Sequence, residues 1–173
     1  MNRLFRLILP ALVAVCGLTF ATEALAEAHH RIGGGVHFLR NLGDIEDHGS
    51  DPNSYSLIGS YQYRMTLVAL EAQAEYILDY AGTGEGMIQP SGWLLVGQGL
   101  YGGLGIGIGL IDGDWQEKPF YALRGGFEIA LGQLGLDLYA TYRFQGAPDF
   151  KALTGEDLDS ITFAAVLRAG FGK

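Results

Sequence analysis

Cysteine occurs once in this chain, at Cys16, and lysine three times, at Lys118, Lys151 and Lys173. Cys16 lies in an apolar leader, so the rest of the chain has no thiol, which excludes disulfides, thiolate metal sites and cysteine nucleophiles. The scarcity of lysine is equally informative. Arg64, Arg124, Arg143 and Arg168 recur in alternating segments with Glu71, Glu75, Glu128 and Asp137, and no lysine joins them. A water-facing surface would mix Lys with Arg, whereas Arg alone suits enclosed pairs, because its planar fork holds carboxylates bidentately. A formal charge of -8 argues against nucleic acid as a partner.

The chain also lacks a convincing membrane helix after the leader. Residues 94–111 carry no charge, but they hold seven glycines. Each glycine costs a helix about 0.8–1 kcal/mol relative to alanine, so two strands joined at Gly97-Gln98-Gly99 fit better. The leader itself reads as an export signal. Arg3 and Arg6 precede an apolar run over residues 7–20, and Ala24-Leu25-Ala26 supplies a small-x-small cleavage site. Residues 1–26 are therefore expected to be a signal peptide and residues 27–173 one domain, more negative by one charge once Arg3, Arg6 and Glu23 are removed.

What the chain does have is alternation. In residues 121–144, Tyr121, Leu123, Gly125, Phe127 and Ile129 share one parity and Ala122, Arg124, Gly126, Glu128 and Ala130 the other. After Leu131-Gly132-Gln133, Leu136, Leu138, Ala140, Tyr142 and Phe144 oppose Gly135, Asp137, Tyr139, Thr141 and Arg143. Side chains on a strand have a period of two, so this is a hairpin with one apolar and one charged face. Residues 31–40, 55–63 and 161–171 repeat the pattern, with His37 on the polar parity and Phe171 closing the last segment. Residues 70–80 do so too, although Leu67, Leu70, Ala74, Ile77 and Leu78 would also make a helical stripe; the alternating neighbours favour a strand. In the glycine-rich segment Leu104, Ile106, Ile108 and Leu110 are expected outward. Gly103, Gly105, Gly107 and Gly109 would then face inward and leave room for long side chains from across the barrel.

Eight strands result, and their connections alternate in length. Polar stretches at residues 41–54, 81–89, 112–119 and 145–160 alternate with turns of two to four residues. That is the pattern of an all-β, eight-stranded, antiparallel, up-and-down transmembrane barrel with long loops on one side and short turns on the other. Aromatics concentrate on the apolar parity, among them Tyr55, Tyr63, Tyr76, Tyr121 and Phe163, as interfacial girdles would require. Eight strands leave an interior just wide enough for side chains. Arg64, Glu71, Glu75, Arg124, Glu128, Asp137, Arg143 and Arg168 are therefore expected to form an ionic network plugging it.

The leader, the eight alternating segments, the Leu100-Tyr101-Gly102-Gly103-Leu104-Gly105-Ile106-Gly107 strand, the Leu138-Tyr139-Ala140-Thr141-Tyr142-Arg143-Phe144 strand and the closing Phe171 resemble the small outer-membrane barrel domains of the OmpA-like and OmpX-like type. The resemblance is one of pattern and covers nearly all of residues 27–173. It implies a location in the outer membrane of a Gram-negative-type bacterium, with lipid and lipopolysaccharide as surroundings. It also implies assembly by the barrel-insertion machinery, which reads a C-terminal aromatic; here Phe171 fills that role, with Gly172 and Lys173 following it. A monomer with a structural or surface-interaction role and no cofactor is the expectation, and no peptidoglycan-binding domain follows the barrel. The alternatives are a narrow passive pore and a lipid A-modifying hydrolase or acyltransferase.

For an enzyme the candidates are His48 and Ser50, in Asp47-His48-Gly49-Ser50. Adjacency in a loop does not make a catalytic site, because the base must be held within hydrogen-bond reach of an oriented hydroxyl. The His-x-Ser-Asn arrangement of the lipid A deacylases that such barrels resemble is absent. Gly97-Gln98-Gly99-Leu100-Tyr101-Gly102 matches a dinucleotide fingerprint by letter, but it opens a strand where that motif needs a helix N-terminus. The acidic loops offer carboxylates for divalent cations that would bridge to lipopolysaccharide phosphates, but none has EF-hand spacing, and no metal site is assigned.

Overall fold

The computed structural model describes residues 29–41, 53–78, 86–111, 113–131, 134–144 and 160–171. Eight long strands form the wall: β1 (His30–Asn41), β2 (Asn53–Arg64), β3 (Val68–Ile77), β4 (Met87–Gln98), β5 (Leu100–Gly107), β8 (Phe120–Leu131), β9 (Leu134–Phe144) and β10 (Ser160–Phe171). The two-residue strands β6 (Leu110–Ile111) and β7 (Asp114–Trp115) stand between β5 and β8. Every pairing is antiparallel, neighbours in the wall follow chain order, and β1 pairs with β10 from His30↔Phe171 to Asn41↔Ser160. That last ladder closes the cylinder, so the wall has no free edge to template aggregation.

The segment with helical character is a strand. Residues 69–77 alternate strictly between buried and exposed, because Glu71, Gln73 and Glu75 gain interior partners that a helix would have scattered around its circumference. The same alternation runs round the barrel with the usual order inverted. Tyr55, Leu57, Leu100, Leu104 and Phe163 are more than half exposed, while Arg31, Glu71, Glu75, Arg124, Asp137 and Arg168 are buried. Outer wall apolar and interior charged is the arrangement of a barrel that meets hydrocarbon.

Short turns gather at one end. Residues 65–67 link β2 to β3, with Met65 N donating to Val68 O at 2.8 Å, and β4 reaches β5 across Gly99. Gly97 and Gly99 have φ of 129° and 70°, values that glycine tolerates and other residues adopt only under strain. The long connections leave from the other end.

One long connection is shorter than its composition suggests. Met87, Ile88 and Gln89 fall within the expected 81–89 loop, yet they belong to β4. Pro90 in that strand also divides what would be one long fifth strand. Its carbonyl accepts a hydrogen bond from Ile108 N at 3.1 Å, but it has no N–H to return. The ladder therefore stops at Ser91↔Gly107 and resumes at Ile88↔Leu110 and Met87↔Ile111. On the side away from β4, Gly109 is held by Gln116: Gln116 N donates to Gly109 O at 2.8 Å, and Gln116 Oε1 accepts from Gly109 N at 3.2 Å. The hairpin β6–β7 thus pairs with the start of β4; Leu110 and Ile111 keep the strand expected of them, and β7 lies inside the stretch expected to be the third loop.

Candidate functional site: the charged interior

The interior is organised in three tiers of charge. Nearest the short turns, Arg31 Nη1 donates to both oxygens of Glu128, at 2.8 and 2.9 Å, and Arg64 Nη2 lies 3.6 Å from Glu128 Oε2. In the middle, Arg124 donates to Glu71 Oε1 at 3.0 Å and to Gln73 Oε1 at 2.7 Å. Arg168 donates to Glu71 Oε2 at 3.0 Å, to Asp137 Oδ2 at 2.8 and 2.9 Å, and to Ser60 Oγ at 2.9 Å. Tyr101 completes Asp137 with a hydrogen bond at 2.8 Å. Nearest the long loops, Arg143 donates to Glu75 and, at 2.6 Å, to Gln89 Oε1. Ser56 also donates to Glu75, and His37 Nδ1 lies 2.9 Å from Glu75 Oε1.

These contacts place each interior residue singled out from the sequence. Arg64, Glu71, Glu75, Arg124, Glu128, Asp137, Arg143 and Arg168 are all buried, and each has an oppositely charged neighbour within ion-pair distance. Sequence reading had left Arg31 out of the set, although it shares the parity of His37. With it, five guanidinium groups face four carboxylates among the described residues. The supporting polar shell of Ser56, Ser60, Gln62, Gln73 and Gln89 was also missed, and inward parity was the only signal for it. His48 and Ser50 lie outside the described residues. Phe171 ends β10 half-exposed, its ring stacked on His30 with centroids 5.7 Å apart.

The inward glycines act differently from the expectation. The space over Gly103, Gly105 and Gly107 is taken by side chains of adjacent strands, Leu95, Trp93 and Phe120, and not by ones reaching across the barrel. Each is the glycine's own register partner, so a large side chain lies flat over a position that has none. The arrangement has electrostatic value. With Trp93 held over Gly105, Arg124 Cζ sits 3.7 Å from the Trp93 ring centroid and 4.0 Å from that of Tyr139, a buried cation between two π faces. A side chain at Gly105 would place its Cβ 2.4 Å from Trp93 Cε3. Gly105→Val is therefore expected to lower stability by about 1–3 kcal/mol, read as a drop in the urea unfolding midpoint.

The chemistry this interior supports is cohesion. His37 has an acid on Nδ1, as a general base would, but among the described residues its Nε2 has no hydrogen-bond partner and no hydroxyl is aligned with it. Among the described residues no group of three or more His, Cys, Asp or Glu side chains is placed to hold a metal ion.

A closed, eight-stranded, antiparallel cylinder with an apolar outer wall and an ion-paired interior is the fold of the small outer-membrane β-barrels of the OmpA-like and OmpX-like kind. No protein-family model and no curated protein matches the chain. Solved structures do match it. Neisserial surface protein A is 12% identical with a TM-score of 0.59, over 83% of this chain and 98% of that one. The outer membrane protein OprG from Pseudomonas aeruginosa is 16% identical with a TM-score of 0.53, over 84% and 97%. Ail, the attachment invasion locus protein of Yersinia pestis, is 16% identical with a TM-score of 0.50, over 84% and 99%. At such identities the likeness is one of fold.

Proposed function

We propose that this chain is an outer-membrane barrel of a Gram-negative-type bacterium, with a structural or surface-interaction role and an interior closed to ions. The observation that carries the reading is the lattice joining opposite walls from Arg31–Glu128 at one end to Arg143–Glu75 at the other. An ion entering that lattice would have to break buried pairs whose partners would be left uncompensated, at about 3–5 kcal/mol each. The protein is a monomer surrounded by lipid and lipopolysaccharide, inserted by the barrel-assembly machinery, and its outward contacts belong to the long loops. Catalysis and cofactors have no part in it.

Planar-bilayer recording tests the closed interior. The refolded protein is expected to give no steps above a lipid-only control, and steady conductance would make it a pore. Fractionation tests the location: the protein should appear in outer-membrane extracts with heat-modifiable gel mobility, and recovery from the soluble periplasm without that mobility change would overturn the reading.

A further inference from the structure

We propose that Arg168 is a lock of the barrel's seam, a residue whose bonds to Ser60 and Glu71 exist only once β1 and β10 have met. Arg168 lies on the last strand, and its register partners on both sides are glycines, Gly33 on β1 and Gly135 on β9. With no side chain at Gly33, Arg168 lies across β1 and reaches Ser60 on β2, the next residue along the same register line, and Glu71 on β3. Its remaining bonds go to Asp137 on β9, its own side of the seam. The guanidinium therefore clasps strands on both sides of the closure while the strand at the closure supplies only an empty slot. Ser60 and Arg168 are 108 residues apart in sequence, and in an opened sheet their strands would be second and last of the eight. Arg124 differs: it joins β8 to β3 through the continuous β8–β5–β4–β3 run, which needs no seam.

Such a lock forms after the transition state for folding and must break before the barrel opens, so removing it acts on unfolding. Arg168→Met is expected to unfold about 100-fold faster in urea while its folding rate into lipid vesicles changes by less than about 2-fold. Arg124→Met should instead slow folding. Gly33→Ala keeps every charge, but its Cβ would lie 2.9 Å from Ser60 Oγ and 3.2 Å from Arg168 Cγ, so it should repeat the fast-unfolding signature in a milder form. If Arg168→Met does not fold, Gly33→Ala carries the test alone. A disulfide across the seam at the register pair Gly34→Cys and Leu167→Cys should abolish the effect of either variant. The proposal is overturned if these variants slow folding as much as they speed unfolding, or if they speed unfolding equally with the seam stapled.

Discussion

Arg124→Leu is expected to cost the barrel about 3–5 kcal/mol, the usual consequence of removing one partner from a buried ion pair. Arg124 holds Glu71 and Gln73 and lies between the rings of Trp93 and Tyr139. Leucine leaves Glu71 to Arg168 and Gln62 and withdraws the cation from two π faces. The loss should appear as a lower urea midpoint and a lower temperature for the gel-mobility shift. Arg124→Lys is the informative control, since an ammonium keeps the charge but cannot fork between two acceptors while lying flat on a ring. An intermediate loss is expected from it. Equal stability of the lysine and arginine forms would mean that charge alone matters and that the stacked fork contributes nothing.

Leu104→Arg is expected to cost about 2–4 kcal/mol when the barrel folds into a bilayer, and Leu100→Arg, at the strand end, about 0–1 kcal/mol. Both residues point outward and are well exposed, Leu104 between Leu94 and Leu123 on neighbouring strands and Leu100 beside the Gly99 turn. The depth dependence decides which solvent the apolar wall meets. In water an exposed leucine exchanged for arginine would be close to neutral at either position. Folding free energies in vesicles that fail to separate the two sites would contradict a lipid-facing wall.

Much of this architecture was legible in the chain because a barrel obeys one periodicity. Parity alone assigns Leu104 to the outside and Arg124, Glu128, Asp137 and Arg143 to the inside, and alternating connection lengths bring the termini of the wall together. Reach was not legible. A residue's parity tells which face it joins but not how far its side chain extends, so the choice of Glu71 as the shared acceptor of Arg124 and Arg168 depends on barrel geometry. Arg31 shares the inward parity of His37 and was legible by it, but its pairing with Glu128, 97 residues away, was not. The hairpin β6–β7 was hidden because each strand has only two residues and β7 sits in a stretch of turn-like composition. The glycine stripe was correctly seen as space, yet what fills it is set by cross-strand register, which composition does not contain.

The packing of Trp93 under a guanidinium has a consequence for anyone who handles the protein in solution. The chain has two tryptophans, and they occupy opposite surroundings: Trp93 is buried against Arg124, whereas Trp115 stands exposed on the β6–β7 hairpin. A nearby cation and burial both alter indole emission, so Trp93 is a native optical reporter of the assembled interior. Trp115 reports independently on the surroundings of the hairpin, and replacing either one by phenylalanine isolates the signal of the other.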